Sequence, residues 1–351
     1  MNPRPPLPPQ PPRDQQARAG SRALVVLVIV GVFLIIAGIL LVRYLNKREP
    51  HPSPSPPSGD ELQVHVLNVG QGDSILIIAP GGKTVLVDAG PPGTGRVVLD
   101  AMQRYNVKQI DLMVATHSHA DHIGGADEVL RRTKVSAVLD SRVPHPTKSY
   151  EDFLREIEGT GAKYIAAVPG QTFDLGGNAV LTVLAPIQPF FTQDQLRSGA
   201  NEPNANSVVT RLDYGDFSML LTGDAEAETE ERLMKAGANL KAKVLKVGHH
   251  GSRYASSEKF LRQGGFEAAV ISDGAENRYG HPSQSALDRL KALGVKLYRT
   301  DLQGEITITS RGAGYEIRTE MEPGADLWEG RTTNQDAGES PGRSRRSAGR
   351  R

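Results

Sequence analysis

Cysteine is absent from this 351-residue chain. That excludes disulfides, thiolate metal ligands and a cysteine nucleophile, and leaves histidines and carboxylates as the strong ligands on offer. A domain of this size needs no disulfide staple, so the absence is silent on compartment. Net charge is nearly absent too, with 41 Lys and Arg against 40 Asp and Glu. From Asp60 to Glu320 the balance is 28 − 33 = −5, so the basic surplus sits in the flanks and bulk charge gives the middle no grip on nucleic acid. Hydrophobic residues reach only 38%, and they gather between residues 62 and 318, where a core can form. No internal repeat is present.

Both ends differ from that middle. Residues 1–22, MNPRPPLPPQPPRDQQARAGSR, are Pro-rich and polar, and such a stretch is expected to be disordered or polyproline-like. Twenty apolar or small residues follow from Ala23 to Val42, bounded by Arg22 and Arg43. At about 1.5 Å per residue they match a hydrocarbon layer of about 30 Å, which predicts a transmembrane helix over 23–42. The run is long for a signal-peptide core, and no small-x-small cleavage site follows it. Arg4, Arg13, Arg18 and Arg22 precede the span and Arg43, Lys47 and Arg48 follow it, nearly a draw under the positive-inside rule. The expectation is a single-pass cell-membrane protein with its catalytic domain outside the cytoplasm, in contact with the lipid bilayer through that one helix. A Pro/Ser linker over 43–60 would space the domain from the membrane. Residues 321–351 end in GRSRRSAGRR and are expected as a disordered basic tail.

A catalytic domain is expected over 61–320. Short β-branched runs at 62–69, 74–79, 84–90, 111–117, 136–140, 179–186, 207–215, 217–224, 243–250, 268–274 and 305–310 read as strands. Helical periodicity intervenes near 95–105, 121–132, 149–158, 225–236, 256–263 and 283–293. Near alternation of the two, with hairpins such as the one turning at Tyr214–Asp216, predicts an α/β domain of two mixed sheets covered by helices.

The chemistry concentrates at strand ends. In DLMVATHSHADHIGG a buried strand stops at Thr116, and His117, His119, Asp121 and His122 follow within six residues. Histidines at i and i+2 of an extended segment point the same way, so His117 and His119 can share one cation. Asp121 and His122 open a helix and can serve a second. Asp224 ends FSMLLTGD, either as a helix N-cap or as a ligand. KVLKVGHHGS places His249 and His250 at another strand end, where neighbours face opposite ways and only one should point inward. Asp88 ends TVLVDAG and can orient a ligand histidine from behind. Ser252 can donate to a substrate oxygen.

In this order, LVDAG, HxHxDH, LLTGD and VGHHGS resemble the metallo-β-lactamase superfamily. VGQGDSILI (69–77), ATHSHADHIGGA (115–126), NANSVVTRL (204–212), LLTGDAEAE (220–228), LKVGHHGSRYASS (245–257) and YGHPSQSALDRLKALGV (279–295) are similar to the hydrolase domain of ComEC-type competence (DNA-internalisation) proteins. The resemblance covers roughly residues 62–310. It implies an αββα sandwich with the site at the edge of its sheets, and two divalent metal ions, zinc or manganese. The implied metal ligands are His117, His119, Asp121, His122, Asp224 and His250, with Asp224 as the bridge. Asp121, His249 and His281 are the candidates for catalytic roles. Two departures accompany it. Many superfamily members place a third histidine on the first metal, where this chain has Asn206, which should weaken that site or open a position. Full-length ComEC proteins also carry many membrane spans, whereas one is legible here.

Paired cations lower the pKa of bound water and clamp both oxygens of a phosphodiester in displacement. The expected function is therefore metal-dependent hydrolysis of phosphodiester or phosphoester bonds, nucleic acid included as substrate, by a metal-activated hydroxide. Hydrolysis of a lactam, lactone or thioester on the same fold, or a non-enzymatic metal-binding membrane module, are the alternatives. No protein partner is inferable.

Overall fold

The computed structural model describes residues 59–331, Ser198 excepted, together with Ile36 and Gly38. The chain separates into the units Met1–Ser55 and Pro56–Arg351. The expected membrane helix over 23–42 falls outside the described residues, save for those two positions. Among the described residues no helix is long and apolar enough to cross a membrane.

Strands β1 (Leu62–Val66), β2 (Ser74–Ile78), β3 (Thr84–Ala89), β4 (Gln109–Ile110), β5 (Leu112–Ala115), β6 (Lys134–Val135), β7 (Ala137–Asp140) and β8 (Lys163–Ala166) fill the N-terminal half. The rest are β9 (Thr172–Gly176), β10 (Ala179–Ala185), β11 (Val209–Tyr214), β12 (Phe217–Leu221), β13 (Val244–Lys246), β14 (Ala268–Ile271), β15 (Lys296–Arg299), β16 (Ile306–Ser310) and β17 (Glu316–Thr319). One sheet of eight strands runs β17-β16-β1-β2-β3-β5-β7-β8, and one of seven runs β15-β14-β13-β12-β11-β10-β9. Strands β4 and β6 pair separately.

Period-two alternation explains the layering. Ile75 and Ile77 of β2 enter a core shared with Leu181, Leu212, Met219 and Val244 of the other sheet. Leu76 and Ile78 point the opposite way, to helices Gly95–Arg104, Ala126–Arg132 and Lys148–Thr160. The second sheet is covered likewise by Ala227–Lys235, Glu258–Gly264 and Gln284–Ala292, through Leu233, Phe260, Leu261, Leu287 and Leu290. With both faces buried, strands read as continuous apolar runs rather than alternating ones. The result is the expected αββα sandwich, and β11 and β12 form the expected hairpin with Tyr214 opposite Phe217.

Three details differ from the sequence reading. The helix expected over 121–132 is two, Ala120–Ile123 and Ala126–Arg132. Gly124 and Gly125 intervene, where a Cβ would collide with Pro92 and with the Ala89 carbonyl. Strands β4, β6, β8, β9, β15 and β17 lie outside the runs read as strands; β4 and β6 are two residues each, and β8, β9 and β17 are exposed or mixed in burial and lack an apolar run. The expected disordered tail also starts too early. Leu327 and Trp328 pack on the outer core of the second sheet, Arg299 Nη1 donates to the Leu327 and Glu329 carbonyls, and Arg331 pairs with Asp301.

Candidate metal centre

Strands β3 and β5 are parallel, as are β12, β13 and β14, so within each sheet their C-terminal ends share an edge. The loops beyond them carry the polar residues. Asp88, near the end of β3, has φ 57°, a left-handed conformation that Asp tolerates better than most residues. The carboxylate, turned back beneath the loop after β5, accepts from Thr116 N (2.8 Å), Thr116 Oγ1 (2.7 Å) and His122 Nδ1 (2.7 Å). Burial raises the Asp88 carboxyl, and the neighbouring His122 opposes that rise.

Among the described residues ligand-type side chains form three groups, two of which share Asp224; in the third, Asp73, Asp88 and His122, the His122 Nδ1 is already hydrogen-bonded to Asp88. Asp121, His122, Asp224 and His250 bring one donor atom each to within 4.8 Å of the others, and His117, His119 and Asp224 do the same. Asp224 belongs to both. In the first group His122 Nε2, His250 Nε2 and Asp224 Oδ1 are buried and have no partner outside the ligand set, His122 Nε2 lying 3.2 Å from Asp224 Oδ1 and His250 Nε2 3.5 Å from Asp121 Oδ2. The outer nitrogens are spoken for: His122 Nδ1 by Asp88 and His250 Nδ1 by the Ser272 carbonyl at 2.9 Å. In the second group His117 Nδ1 lies 3.1 Å from Thr116 Oγ1, while His117 Nε2 and His119 Nδ1 face each other at 3.1 Å. Buried polar atoms are rarely left unpartnered, so inward donors with anchored outer nitrogens fit divalent cations.

The electrostatics agree. Burial pushes the Asp224 carboxyl up, but His122, His249 and His250 together hold it well below the carboxylate range. Burial disfavours charge on His122, yet Asp224, Asp88 and Asp121 outweigh it and raise the imidazole well above its usual value. His250 is raised likewise, against burial, by Asp224 and Asp73. A cation entering between them must displace protons.

The structure brings together all six expected ligands, His117, His119, Asp121, His122, Asp224 and His250. Asp224 does not cap a helix, since the helix after it starts at Ala227 with Glu226 in the cap position. His249 and His250 do not occupy alternating strand positions. They are not at a strand end, because β13 stops at Lys246 and Gly248–Gly251 is a 3₁₀ turn with His249 and His250 both at positive φ. They still diverge: His250 joins the ligands, while His249, a quarter exposed, places Nδ1 2.8 Å from Glu226 Oε1 and Nε2 3.7 Å from Asp224 Oδ2. Ser252 is buried and donates to Glu226 Oε1 at 3.0 Å, so its hydroxyl is engaged within the protein. Asn206 is also engaged elsewhere, with Phe191 N and the carbonyls of Phe191 and Glu202. The His281 ring lies 5.2 Å from that of His249, and burial pushes its imidazole down to about 3, helped by His249 and His250.

Sequence reasoning missed Glu226, which sits in the quoted LLTGDAEAE; no local pattern marks it as the partner of His249. It missed His145, whose ring is 5.0 Å from that of His119. It also gave no role to Asp73 of VGQGDSILI, buried and paired with buried Lys246 at 2.9 Å.

The pattern of the Metallo-beta-lactamase superfamily matches residues 67–272. ComE operon protein 3 of Bacillus subtilis (strain 168) is 31% identical over 70% of this chain and 33% of its own length. Competence protein ComA of Neisseria gonorrhoeae is 30% identical over 77% of this chain and 35% of its own. The chain thus spans about a third of the length of these curated relatives. Among solved structures, the metallo-beta-lactamase fold protein YhfI from Bacillus subtilis aligns over 68% of this chain and 95% of that one, at 15% identity and a TM-score of 0.43. The ligand-bearing sheet edge and the match across both halves of the sandwich make this chain a member of the metallo-β-lactamase superfamily of metal-dependent hydrolases, related to competence proteins of the ComEC type.

Proposed function

We propose that this chain is a membrane-tethered hydrolase of phosphodiester bonds that works with two divalent cations. The observation that carries the reading is the sharing of Asp224 by two ligand groups, which calls for adjacent cations rather than one. Asp121, His122 and His250 would hold one, His117 and His119 the other. Such a pair supplies an activated water and Lewis acidity towards attacking and leaving oxygens, chemistry suited to phosphodiesters. Asn206, engaged elsewhere, adds no third histidine to the His117, His119 and Asp224 group and makes it the weaker one.

His249 is the proton donor to the leaving oxygen. Glu226 engages Nδ1, which leaves Nε2 as the working nitrogen, and Arg197 and Ser252 fix Glu226 in turn. His281, held uncharged by burial, lines the same wall and accepts a hydrogen bond or supplies a contact to substrate. Asp121, whose side chain is partly exposed, orients the attacking water.

The names of relatives lean the same way: competence proteins, a "Recombination protein 2" of Haemophilus influenzae, and an "Endoribonuclease ysh1" over 30% of this chain. A "Hydroxyacylglutathione hydrolase" of Parasynechococcus marenigrum, 34% identical over 26% of this chain, favours a second reading, thioester hydrolysis. Assays of the metal-loaded chain on bis-p-nitrophenyl phosphate, S-lactoylglutathione and nitrocefin separate the readings. Turnover of the phosphodiester is expected; turnover of the thioester or lactam alone would overturn it, and inertness to all three would point to a binding module. Metal analysis should approach two equivalents per chain, and a single tight equivalent would sink the paired-cation scheme.

The tether is the apolar run Ala23–Val42, with the domain on the extracytoplasmic side. Alkaline phosphatase fused after Arg351 should be active there. Bright cytoplasm-only fluorescence from an equivalent fusion would place the enzyme inside.

A further inference from the structure

Tyr254 and Tyr279 are 47% and 50% exposed, and nothing described above uses their rings. Both connect to His249 through short chains of contact. Tyr279 lies parallel to His281, 6.0 Å between ring centres and 25° between planes, and His281 is next to His249. Tyr254 carries the Arg197 guanidinium 3.7 Å from its ring centre, and Arg197 pairs with Glu226, the carboxylate that holds His249. Arg278 is set similarly, 5.3 Å from the Tyr279 ring centre, with Nη2 donating to the Tyr279 hydroxyl at 3.3 Å. Each tyrosine is thus an exposed side chain with an arginine beside it, linked to His249 through intervening side chains: Tyr254 through Arg197 and Glu226, Tyr279 through His281.

Aromatic rings next to a phosphodiester site offer what a nucleobase needs: a flat face on which any base stacks, whatever the sequence. Arginine adds a cation above the stack. Duplex nucleic acid gains little from such rings, because its bases already stack on one another. A duplex is gripped through its phosphates instead, and the balance of −5 between Asp60 and Glu320 disfavours that mode. Small phosphodiesters without a base have nothing to place on the rings.

We infer that Tyr254 and Tyr279 form a base-stacking rim that selects single-stranded nucleic acid for this site. The inference rests on the phosphodiester reading for its purpose, but binding at the rim is measurable without turnover. The test is fluorescence anisotropy of a labelled oligothymidylate with the full chain stripped of metal, so that no strand is cut. Tyr254→Ala and Tyr279→Ala should each weaken binding by about 5- to 150-fold, the range expected for one lost stacked base. Tyr254→Trp and Tyr279→Trp should bind as well as the parent or better, because the larger ring keeps the stack. The same strand annealed to its complement should bind more weakly. Alanine variants that bind as tightly as the parent, or a duplex that competes equally, would overturn the rim. That failure is separable from failure of the phosphodiester reading, which would show as inertness of the metal-loaded parent towards bis-p-nitrophenyl phosphate.

Discussion

The sharpest test of the metal centre is Asp88→Asn, a change of one atom type in a buried carboxylate. In the parent, Oδ1 accepts from Thr116 N, while Oδ2 accepts from Thr116 Oγ1 and His122 Nδ1. Asparagine keeps an acceptor for Thr116 N and tolerates the left-handed backbone at φ 57°, so the fold should survive. Its amide nitrogen then replaces Oδ2 and presents hydrogens to His122 Nδ1. That imidazole answers by shedding its Nδ1 proton and carrying one on Nε2, the atom that should face a cation. Loss of such an outer partner costs about 10–100-fold in metal affinity, or about 1.4–2.7 kcal/mol. Competition against a chromophoric chelator, with the variant and parent side by side, gives the number directly. Thermal unfolding of the metal-free forms checks that only the centre has changed. Unchanged affinity at both sites would refute the argument that Asp88 sets the His122 tautomer.

Asp121→Ala and His122→Ala should abolish turnover with folding retained; wild-type rates and unchanged metal content in Asp121→Ala would exclude this loop from the centre. His250→Ala should lose metal and His249→Ala should keep it while losing rate, and the opposite pattern in metal analysis would reverse their roles. His122 and His250 are raised in the metal-free protein, so they hold protons that cations must expel. Metal affinity should therefore climb with pH across the neutral range and zinc uptake should acidify a weakly buffered solution, which a pH electrode reads; uptake without proton release contradicts the assignment. Lys246→Met strands the buried Asp73 carboxylate and should cost about 3–5 kcal/mol in urea unfolding, with part of that recovered on adding Asp73→Asn. A cost near zero for the single change would mean the pair is not held as described.

What the sequence made legible is what chemistry packs locally. His117, His119, Asp121 and His122 stand within six residues after a buried strand, so spacing alone announces a cation site. Asp224 and His250 are far away in the chain, and their side-chain direction follows from turns that no short pattern specifies. His249 and His250 illustrate the limit: strand alternation gave a right divergence for a wrong reason, because the backbone there is a turn with both residues at positive φ. Strands β8, β9 and β17 escaped because exposed edge segments carry no apolar run. Residues 321–331 read as tail because Leu327 and Trp328 stand among glycines and acids, and only the folded second sheet provides the surface they cover.

The loop 69–73 shows how a motif quoted only for its likeness acquires a physical cause. Asp73 N donates to the Asp121 carbonyl at 3.2 Å, which ties this loop to the first turn of the ligand helix. A Cβ on Gly72 would overlap that same carbonyl and Pro91, so the approach requires glycine. From the other sheet, Ser272 Oγ donates to the Gly72 carbonyl at 2.7 Å, and Lys246, the last residue of β13, pairs with Asp73. His250 Nδ1 lies 3.4 Å from Asp73 Oδ1, so the loop touches a ligand from each half of the sandwich. Each sheet by itself positions only part of the ligand set. GQGD is the strap that fixes one edge against the other, and its buried ion pair makes the register of the two halves costly to lose.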